Sequence, residues 1–332
     1  MKIDFVVPWV DGSDPEWRKQ KNEYLPVKVS DAGSDRYRDM GILKFWFRAV
    51  EKYAPWVNKV HFITWGHLPE WLNTECPKLN IVKHSDYIPK EYLPTFSSRP
   101  IEMNIHRIEG LSEQFVYFND DTLLNGPVKE DFFFKKGLPC DYLYTTNVFY
   151  YSTEDMYAHV CTNCITETNK FFSYRKSFFS HPFKFVNFKY GFKNNLKNIL
   201  KLENGSVFTG IENHHLPCAY LKQSFVDAWD SDFKLFDKVS SNKFRTAFDV
   251  NQNVFRYRQL AKGMFYPVSP KSRGKLMRIE NDTSHIIEAL ADERYKMVCI
   301  NDTPEKIDFE RVSAEIISAY EKKLPEKSMF EK

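Results

Sequence analysis

The sequence FVYFNDDTLLNGP, residues 115–127, decides the expected fold, because it joins a buried strand to a pair of acids. Its first four apolar residues run directly into Asn119, Asp120 and Asp121. Two adjacent carboxylates at the end of a buried run repel each other and are costly to remove from water. The stretch predicts either a polar turn, since a glycine and a proline follow, or a site for Mg²⁺ or Mn²⁺. The residues alone leave both interpretations open.

The segments around this stretch alternate between strand-like and helix-like patterns. Four short apolar runs have the composition of strands, namely IDFVVPW, VHFITW, LNIVKH and FVYF. Between them, residues 39–55 repeat apolar side chains at helical spacing, and residues 99–111 form a shorter helix. Alternating strands and helices predict an α/β fold with a mainly parallel sheet. Ligands bind beyond the carboxyl ends of such strands, which is where the acids and the loop WVDGSDPEW lie.

The rest of the chain is less regular. The pattern weakens from about residue 145, and residues 214–265 look helical with short interruptions. MVCIND, residues 297–302, forms a last strand, after which Thr303 and Pro304 open an amphipathic helix.

Other polar clusters each allow a structural and a functional interpretation. Asn301 and Asp302 follow an apolar run, so they serve either as a helix cap or as second ligands to a cation. Arg38, just before the first amphipathic helix, suits either a phosphate or a surface ion pair. Arg245 and Asp249, four residues apart, form a surface pair on the simplest interpretation.

Two further groups are more readily explained without chemistry. Glu102, His106 and Glu109 share one helical face, which is typical of stabilising side-chain pairs. Cys161 and Cys164 form a single CxxC without a second pair, so packing is favoured over structural zinc or redox chemistry.

Composition bounds the class of protein. The 332 residues are 42% hydrophobic and supply enough apolar material for a large core. A formal net charge of +3 gives no case for nucleic-acid binding. No apolar run reaches membrane-spanning length, and six scattered cysteines suit reduced thiols, so cytoplasmic residence is expected. Residues 182–202 mix lysine with aromatic side chains, which fits either a solvated helix or a peripheral contact with the inner face of the cell membrane.

Together these segments resemble the Stealth family of capsular polysaccharide phosphotransferases, which is related to the alpha/beta subunit of N-acetylglucosamine-1-phosphotransferase. Four blocks follow the family's order: residues 3–17, 36–121, 214–253 and 297–302. The second block is long and specific. Acceptor specificity is expected to lie in the intervening residues 125–213 and 254–296.

The resemblance implies transfer of a sugar 1-phosphate from a UDP-sugar donor to a hydroxyl of a glycan acceptor, here expected to be a lipid-linked oligosaccharide, with release of UMP. The competing reaction on the same fold is a metal-dependent glycosyl transfer that releases UDP, and a third interpretation is a non-catalytic glycan-binding protein. The implied fold is a GT-A-like nucleotide-sugar and metal-binding core over residues 1–145. A mostly helical acceptor-side region follows over 146–275, and a strand and helix over 276–332 complete the core.

Site residues are implied by the same resemblance. It assigns His215, Arg245 and Asp121 to catalysis, with His215 as general base or as a nucleophile that forms a phosphohistidine. Substrate binding falls to a second group: Asp11, Gly12, Arg38, Asp249 and Lys170. The ligands of Mg²⁺ or Mn²⁺ are expected to be Asp120, Asp121, Asn301 and Asp302.

Overall fold

A computed structural model of the chain describes residues 2–25, 37–149, 152, 155–271, 273–302 and 307–332. The helix start predicted at Thr303 and Pro304 lies outside these residues. Within them, the strands in chain order are β1 Ile3–Pro8, β2 Val60–Thr64, β3 Leu79–Lys83, β4 Gln114–Tyr117, β5 Thr122–Leu124, β6 Phe134–Lys135, β7 Leu138–Asp141, β8 Cys218–Leu221, β9 Tyr266–Pro267, β10 Gly274–Arg278 and β11 Met297–Asn301.

The described α-helices in chain order are α1 Pro15–Tyr24, α2 Leu43–Tyr53, α3 His84–Tyr87, α4 Ser98–Met103, α5 Glu130–Phe133, α6 Met156–Asn169, α7 Tyr174–Ser180, α8 Pro182–Phe185, α9 Gly191–Leu200, α10 Lys222–Ser231, α11 Phe233–Ser241, α12 Asn253–Ala261, α13 Ser284–Ala291 and α14 Phe309–Lys323. Single 3₁₀ turns occur at Lys90–Tyr92, Ile105–Arg107, Phe188–Tyr190 and Lys201–Asn204.

The central sheet has the strand order β3-β2-β1-β4-β8. Its first four strands run parallel, with Phe5 of β1 opposite Val60 of β2 and Val116 of β4. This arrangement confirms the predicted α/β class with a mainly parallel sheet. The loops that follow β1 and β4 therefore leave the sheet at the same edge, as the alternating pattern predicted.

Strand β8 corrects one part of the sequence interpretation. Residues 214–265 were expected to be helical, but Cys218–Leu221 pairs antiparallel with β4 and forms the edge of the central sheet. A four-residue apolar run between Pro217 and a helix has no periodicity of its own, so its pairing partner alone determines its conformation. The rest of the segment is helical, as predicted, in α10, α11 and α12.

Two smaller sheets connect residues 122–141 to later parts of the chain. Strand β11 pairs parallel with β10 and antiparallel with β5, which directly follows the acid pair. The backbone N–H of Ile300 also donates to the carbonyl of Asp121 over 2.9 Å. Strand β7 pairs with β6 and β9 in a third sheet. These pairings cross the proposed boundaries at residues 145 and 275, and the division into three units stays a prediction.

The apolar core lies on both faces of the central sheet. Because side chains alternate along a strand, Phe5 and Val7 of β1 pack on one face with helix α2, while Val6 packs on the other. Trp46 and Phe47 of α2 are fully buried on the first face. Burying such a side chain stabilises the fold by about 1.5–3 kcal/mol, so the core holds β1 and β4 rigidly beneath the site.

A buried polar cluster under the sheet carries a testable stability prediction. Asp4 is fully buried and accepts hydrogen bonds from Asn58 Nδ2 at 2.7 Å, the Ser112 N–H at 2.7 Å and His61 Nε2 at 3.0 Å. Asn80 Nδ2 donates to His61 Nδ1 over 2.9 Å, so the ring hydrogen is on Nε2, which donates to Asp4. Burial alone would raise the pKa of Asp4, but these hydrogen bonds outweigh it and lower the pKa below its ordinary 3.8.

Asp4→Ala is expected to reduce the free energy of unfolding by about 3–5 kcal/mol, because it leaves the buried His61 and the part-buried donors of Asn58 and Ser112 without this partner. Urea unfolding measures the loss, and Asp230→Ala, an exposed site on α10, is the control, with an expected change within about 0.5 kcal/mol. The pKa of Asp4 is lowered in the folded state. The difference in free energy of unfolding between the wild type and Asp4→Ala is therefore fully present at neutral pH and becomes smaller as the pH falls below 3.8. A loss under about 1 kcal/mol would contradict this role for Asp4.

Candidate active site

A cavity of about 840 Å³ opens at the carboxyl edge of β1 and β4. It unites most of the residues singled out in the sequence, although they come from three separate motif blocks. Its lining includes Arg38, Asp120, Asp121, His215, Arg245, Asn301 and Asp302.

The acid pair lies in a tight turn between β4 and β5. The Thr122 N–H donates to the Asn119 carbonyl over 3.0 Å, and the Thr122 hydroxyl donates to the same oxygen over 2.8 Å. Asp120 and Asp121 are the two central residues of this turn. The turn predicted from sequence is therefore present, and it directs both carboxylates to the cavity.

Asp121 is the centre of the polar contacts in the cavity. Its Oδ2 lies 3.3 Å from His215 Nε2, 3.1 Å from Asn301 Nδ2 and 3.3 Å from Cys299 Sγ. Burial alone would raise the pKa of Asp121, but the hydrogen bond and charge of His215, followed by Asn301 and Cys299, lower it. These three neighbours therefore stabilise the negative charge of Asp121.

Asp120 differs from Asp121 in its electrostatics. Asp120 is exposed at the cavity mouth, but the surrounding cavity walls, followed by the charges of Asp121 and Asp39, raise the pKa of Asp120 to about 7. The repulsion expected between adjacent carboxylates is thus relieved by a proton on Asp120 near neutral pH. A bound cation would relieve the same repulsion and favour the ionised form.

Asp302 pairs with Arg38 across the cavity wall. Arg38 Nη2 donates to Asp302 Oδ2 over 2.7 Å, and its Nε donates to the same oxygen over 3.1 Å. The guanidinium also lies 4.4 Å from the centre of the Phe309 ring. Neither Asn301 nor Asp302 caps the last helix, because the N-cap of α14 is Asp308, whose side chain accepts from the Arg311 N–H.

The residues present fit a divalent cation. Asp121 Oδ1 and Asp302 Oδ1 are both buried without a hydrogen-bond partner among the described residues, which is costly unless a ligand satisfies them. Asp121, His215 and Cys299 also bring one possible ligand atom each within 4.8 Å of one another. Burial and the charge of Asp121 raise the pKa of the Cys299 thiol well above its usual range. In this state Cys299 donates to Asp121 Oδ2, and the carboxylate oxygens of Asp121 and Asp302 are ligands of the kind that Mg²⁺ and Mn²⁺ prefer.

His215 adopts a backbone conformation that non-glycine residues rarely take. Its φ is +47°, in the left-handed region, which costs about 1–3 kcal/mol and concentrates at functional sites. In this conformation its Nε2 reaches Asp121 and lies 3.4 Å from Asn119 Nδ2. Burial alone would lower the pKa of His215, but the hydrogen bond and charge of Asp121 outweigh burial and raise it.

Arg245 faces the cavity beside a buried charge cluster that the sequence interpretation treated as structural. Arg245 Nη2 donates to Ser98 Oγ over 3.3 Å. Glu102 and Arg99 of α4 also line the cavity, and Arg99 Nε has no partner among the described residues. Burial raises the pKa of Glu102 even though Arg99 and Arg245 oppose it. The helical spacing of Glu102, His106 and Glu109 concealed that Glu102 alone faces the cavity.

Four predicted substrate-binding residues do not line the cavity. Asp249 is fully buried and accepts from the Thr246 N–H and from Asn242 Nδ2, so it shapes the loop that carries Arg245. Lys170 is half exposed and paired with Glu167 on α6.

The other two lie in the loop after β1. Asp11 Oδ1 accepts from the Ser13 N–H over 2.8 Å and from its hydroxyl over 2.6 Å. A side chain on Gly12 would place its Cβ 2.0 Å from the Tyr37 carbonyl, so glycine is required for this close approach. Through Tyr37, Gly12 positions the segment that leads to Arg38, and direct substrate contact by these four residues stays a prediction.

Known proteins with similar sequences cover the whole chain. The family model for Stealth protein CR1, conserved region 1, matches residues 1–26, and that for Stealth protein CR2, conserved region 2, matches residues 36–140. Capsular polysaccharide phosphotransferase WcwK of Streptococcus pneumoniae is 44% identical over 100% of this chain and 98% of its own. Exopolysaccharide phosphotransferase cps2G of Lactiplantibacillus plantarum is 38% identical over 99% and 96%, respectively.

A solved structure also aligns along most of the chain. Galactosyltransferase LgtC in complex with donor and acceptor sugar analogs has a TM-score of 0.40 and 10% sequence identity, covering 95% of both chains. A likeness this low supports no conclusion about activity. The full-length relatives and the acidic, arginine-containing cavity define the class: the chain is a phosphotransferase. It belongs to the Stealth family, which confirms the resemblance inferred from its motif blocks.

No helix among the described residues is both long enough and apolar enough to cross a bilayer.

Proposed function

We propose that this protein transfers a sugar 1-phosphate from a UDP-sugar to a hydroxyl of a glycan acceptor in capsular or cell-wall polysaccharide synthesis. The observation that carries the proposal is a single cavity in which Asp120, Asp121, His215 and Arg245 meet, in a chain similar over its full length to polysaccharide phosphotransferases. Phosphoryl transfer needs positioning, charge neutralisation and an activated hydroxyl, and these residue types supply all three.

The reaction exchanges one phosphorus–oxygen bond for another. The acceptor hydroxyl oxygen attacks the phosphorus that bears the sugar, and the bond from that phosphorus to the bridging oxygen of the diphosphate breaks. UMP leaves with the bridging oxygen, and a phosphodiester joins the sugar to the acceptor. The proton of the hydroxyl passes to His215 Nδ1, the basic nitrogen of the neutral ring, because Nε2 already donates its hydrogen to ionised Asp121.

The chain's own charges support this transfer. Among the described residues, the Arg245 side chain makes one hydrogen bond, a 3.3 Å contact with Ser98, so its guanidinium remains able to bind phosphate oxygens. Asp121 orients His215 and stabilises its protonated form after it takes the proton. Arg38 is already paired with Asp302, so its proposed approach to the donor phosphates requires that it share or leave this ion pair.

The cation would be held by Asp120, Asp121, Asn301 and Asp302. Mg²⁺ or Mn²⁺ supplies neutralisation of the diphosphate charge when bound. Asn301 donates its amide N–H to Asp121, which leaves its carbonyl oxygen as the available ligand atom. The acceptor is proposed to be a lipid-linked oligosaccharide at the inner face of the cell membrane.

The released nucleotide tests the proposal directly. The protein is incubated with Mg²⁺ or Mn²⁺, a panel of UDP-sugars and short or lipid-linked oligosaccharide acceptors, and the nucleotides are separated. We expect acceptor-dependent UMP with at least one donor, and loss of that UMP in chelator. Release of UDP instead would show that the anomeric carbon is attacked, which would make the enzyme a glycosyltransferase and overturn the proposal.

A further inference from the structure

Helix α9, Gly191–Leu200, exposes its apolar side chains to solvent and buries a polar one, unlike an ordinary surface helix. Its large apolar side chains Phe192, Leu196, Ile199 and Leu200 recur at the i, i+4, i+7 and i+8 spacing of one helical face. All four are exposed, with Phe192 at 84%. The buried position of the helix is instead the polar Asn198. A soluble surface helix normally presents its apolar stripe to the core.

A hydrogen-bond network fixes this orientation. Asn198 Nδ2 donates to the carbonyls of Leu143 and Phe185, over 2.8 and 2.7 Å. Its Oδ1 accepts from the Thr145 N–H and hydroxyl, and the Tyr174 hydroxyl donates to its carbonyl. Rotating the helix to bury its stripe would break these buried hydrogen bonds, each of which is expensive to leave unmade. The outward apolar stripe is therefore built into the fold.

The preceding short helices expose further phenylalanines. Phe183 and Phe188 are 84% and 86% exposed, and Phe179 on α7 is also exposed. Residues 179–200 thus carry seven exposed large apolar side chains, which we call the aromatic face. Exposed large apolar side chains at this density along one segment mark a binding surface, because single exposed side chains are ordinary but clusters are not.

The charge of the segment selects the occupant. Residues 170–202 contain eight Lys and Arg residues and no Asp or Glu, in a chain whose formal net charge is only +3. Lys193 and Lys197 lie exposed beside the apolar stripe, four residues apart. Like charge on two identical surfaces opposes pairing with a second copy of the chain. The combination of apolar side chains and cations instead fits the headgroup region of an anionic bilayer.

We propose that the aromatic face docks this protein on an anionic phospholipid membrane, with the phenylalanines entering the headgroup region and the lysines contacting lipid phosphates. One cluster of tyrosines joins this face to the catalytic cavity. The Tyr190 ring lies 5.4 Å from Tyr144, which lies 5.0 Å from Tyr142, a cavity-lining residue. Docking therefore holds the cavity close to the membrane, and its use for a lipid-linked acceptor rests on the proposed function.

Vesicle sedimentation tests the docking without any substrate. We expect the full chain to sediment with vesicles of phosphatidylglycerol and phosphatidylcholine and not with phosphatidylcholine alone. The triple variant Phe183→Ser/Phe188→Ser/Phe192→Ser is expected to weaken binding more than tenfold, because it removes three apolar insertions. Lys193→Gln and Lys197→Gln are each expected to weaken it about fivefold, with greater loss at higher salt.

The control is a matched pair of exposed phenylalanines elsewhere, Phe233→Ser/Phe248→Ser, which should bind like the wild type. Circular dichroism confirms that each variant folds. Absence of wild-type binding to the anionic vesicles, or undiminished binding by the triple variant, would overturn the proposal. A wild-type dimer by light scattering that the triple variant converts to a monomer would show that a second copy occupies the face, which would also overturn it. Release of UMP with a water-soluble acceptor should be unchanged in the triple variant, so failure of docking is distinguishable from failure of the proposed reaction.

Discussion

Asp121→Asn is expected to lower kcat by at least about 10²–10³-fold, since the substitution removes the charge on which the other polar groups of the cavity depend. The variant keeps the size of the side chain but replaces one carboxylate oxygen with a donor. That donor would face Asn301 Nδ2 and Cys299 Sγ, which both donate to Asp121 Oδ2 in the wild type. It would also remove an ionised oxygen from the proposed cation site. The measurement is the steady-state rate of UMP release at saturating donor.

Two controls separate this effect from a general loss of structure. Asp227→Asn removes one carboxylate of a surface pair with Lys262, and its kcat should match the wild type. Titration calorimetry with Mn²⁺ gives a readout independent of turnover, and Asp121→Asn should bind the ion at least tenfold more weakly, because a carboxylate ligand is lost. Turnover within threefold of the wild type, in a variant that folds, would show that Asp121 is not the centre of the site.

The strands of the central sheet that alternate with helices along the chain were predictable from the sequence. Residues such as Val6 and Phe115 lie in short apolar runs, which are typical of buried strands, and the intervening helix α2 has a clear apolar face. Strand β8 was not predictable, because four residues are too few to show a period. Its conformation is imposed by pairing with β4, a contact between residues about one hundred positions apart.

The site was predictable in its residue types but not in its contacts. The sequence indicated acids at the ends of two apolar runs, and in the structure Asn301 Nδ2 donates to Asp121 Oδ2. Their shared role at a cation stays a prediction. Nothing local, however, shows that Arg38 pairs with Asp302, since 264 positions separate them. The direction in which Glu102 points depends on how α4 packs, and its helical spacing alone favoured a surface pair.

The same limit applies to the segment around helix α9. Its composition predicted either a solvated helix or a membrane contact, and periodicity could not decide between them, because an apolar stripe says nothing about which way it faces. The three-dimensional position of Asn198 decides the orientation, since its hydrogen bonds anchor the polar side of the helix to the protein. Ordinary pattern analysis would have assigned Phe192 to the core.

His215→Asn is expected to lower kcat by about 10²–10⁴-fold, the usual contribution of a positioned general base. Asparagine is the informative replacement, because it tolerates the left-handed backbone that His215 adopts at φ +47°. It cannot take a proton from the acceptor hydroxyl, so the chemistry is lost while the loop conformation is kept. Steady-state UMP release measures the loss, and His285→Asn, which does not line the cavity, should leave it unchanged.

A rapid-mixing experiment then separates the two roles that a histidine at this position allows. If His215 is the general base, as we propose, no burst of UMP forms before acceptor is present, because the acceptor hydroxyl is the group that attacks phosphorus. If the unprotonated ring nitrogen is instead the nucleophile, one equivalent of UMP per enzyme appears without acceptor, and the sugar phosphate stays attached to the ring as a phosphohistidine. Labelled sugar phosphate on the denatured wild-type protein, absent from His215→Asn, would establish that second route. Near-wild-type turnover by His215→Asn would contradict both roles. The next candidate for the base would then be Glu102, a buried carboxyl on α4 that lines the same cavity.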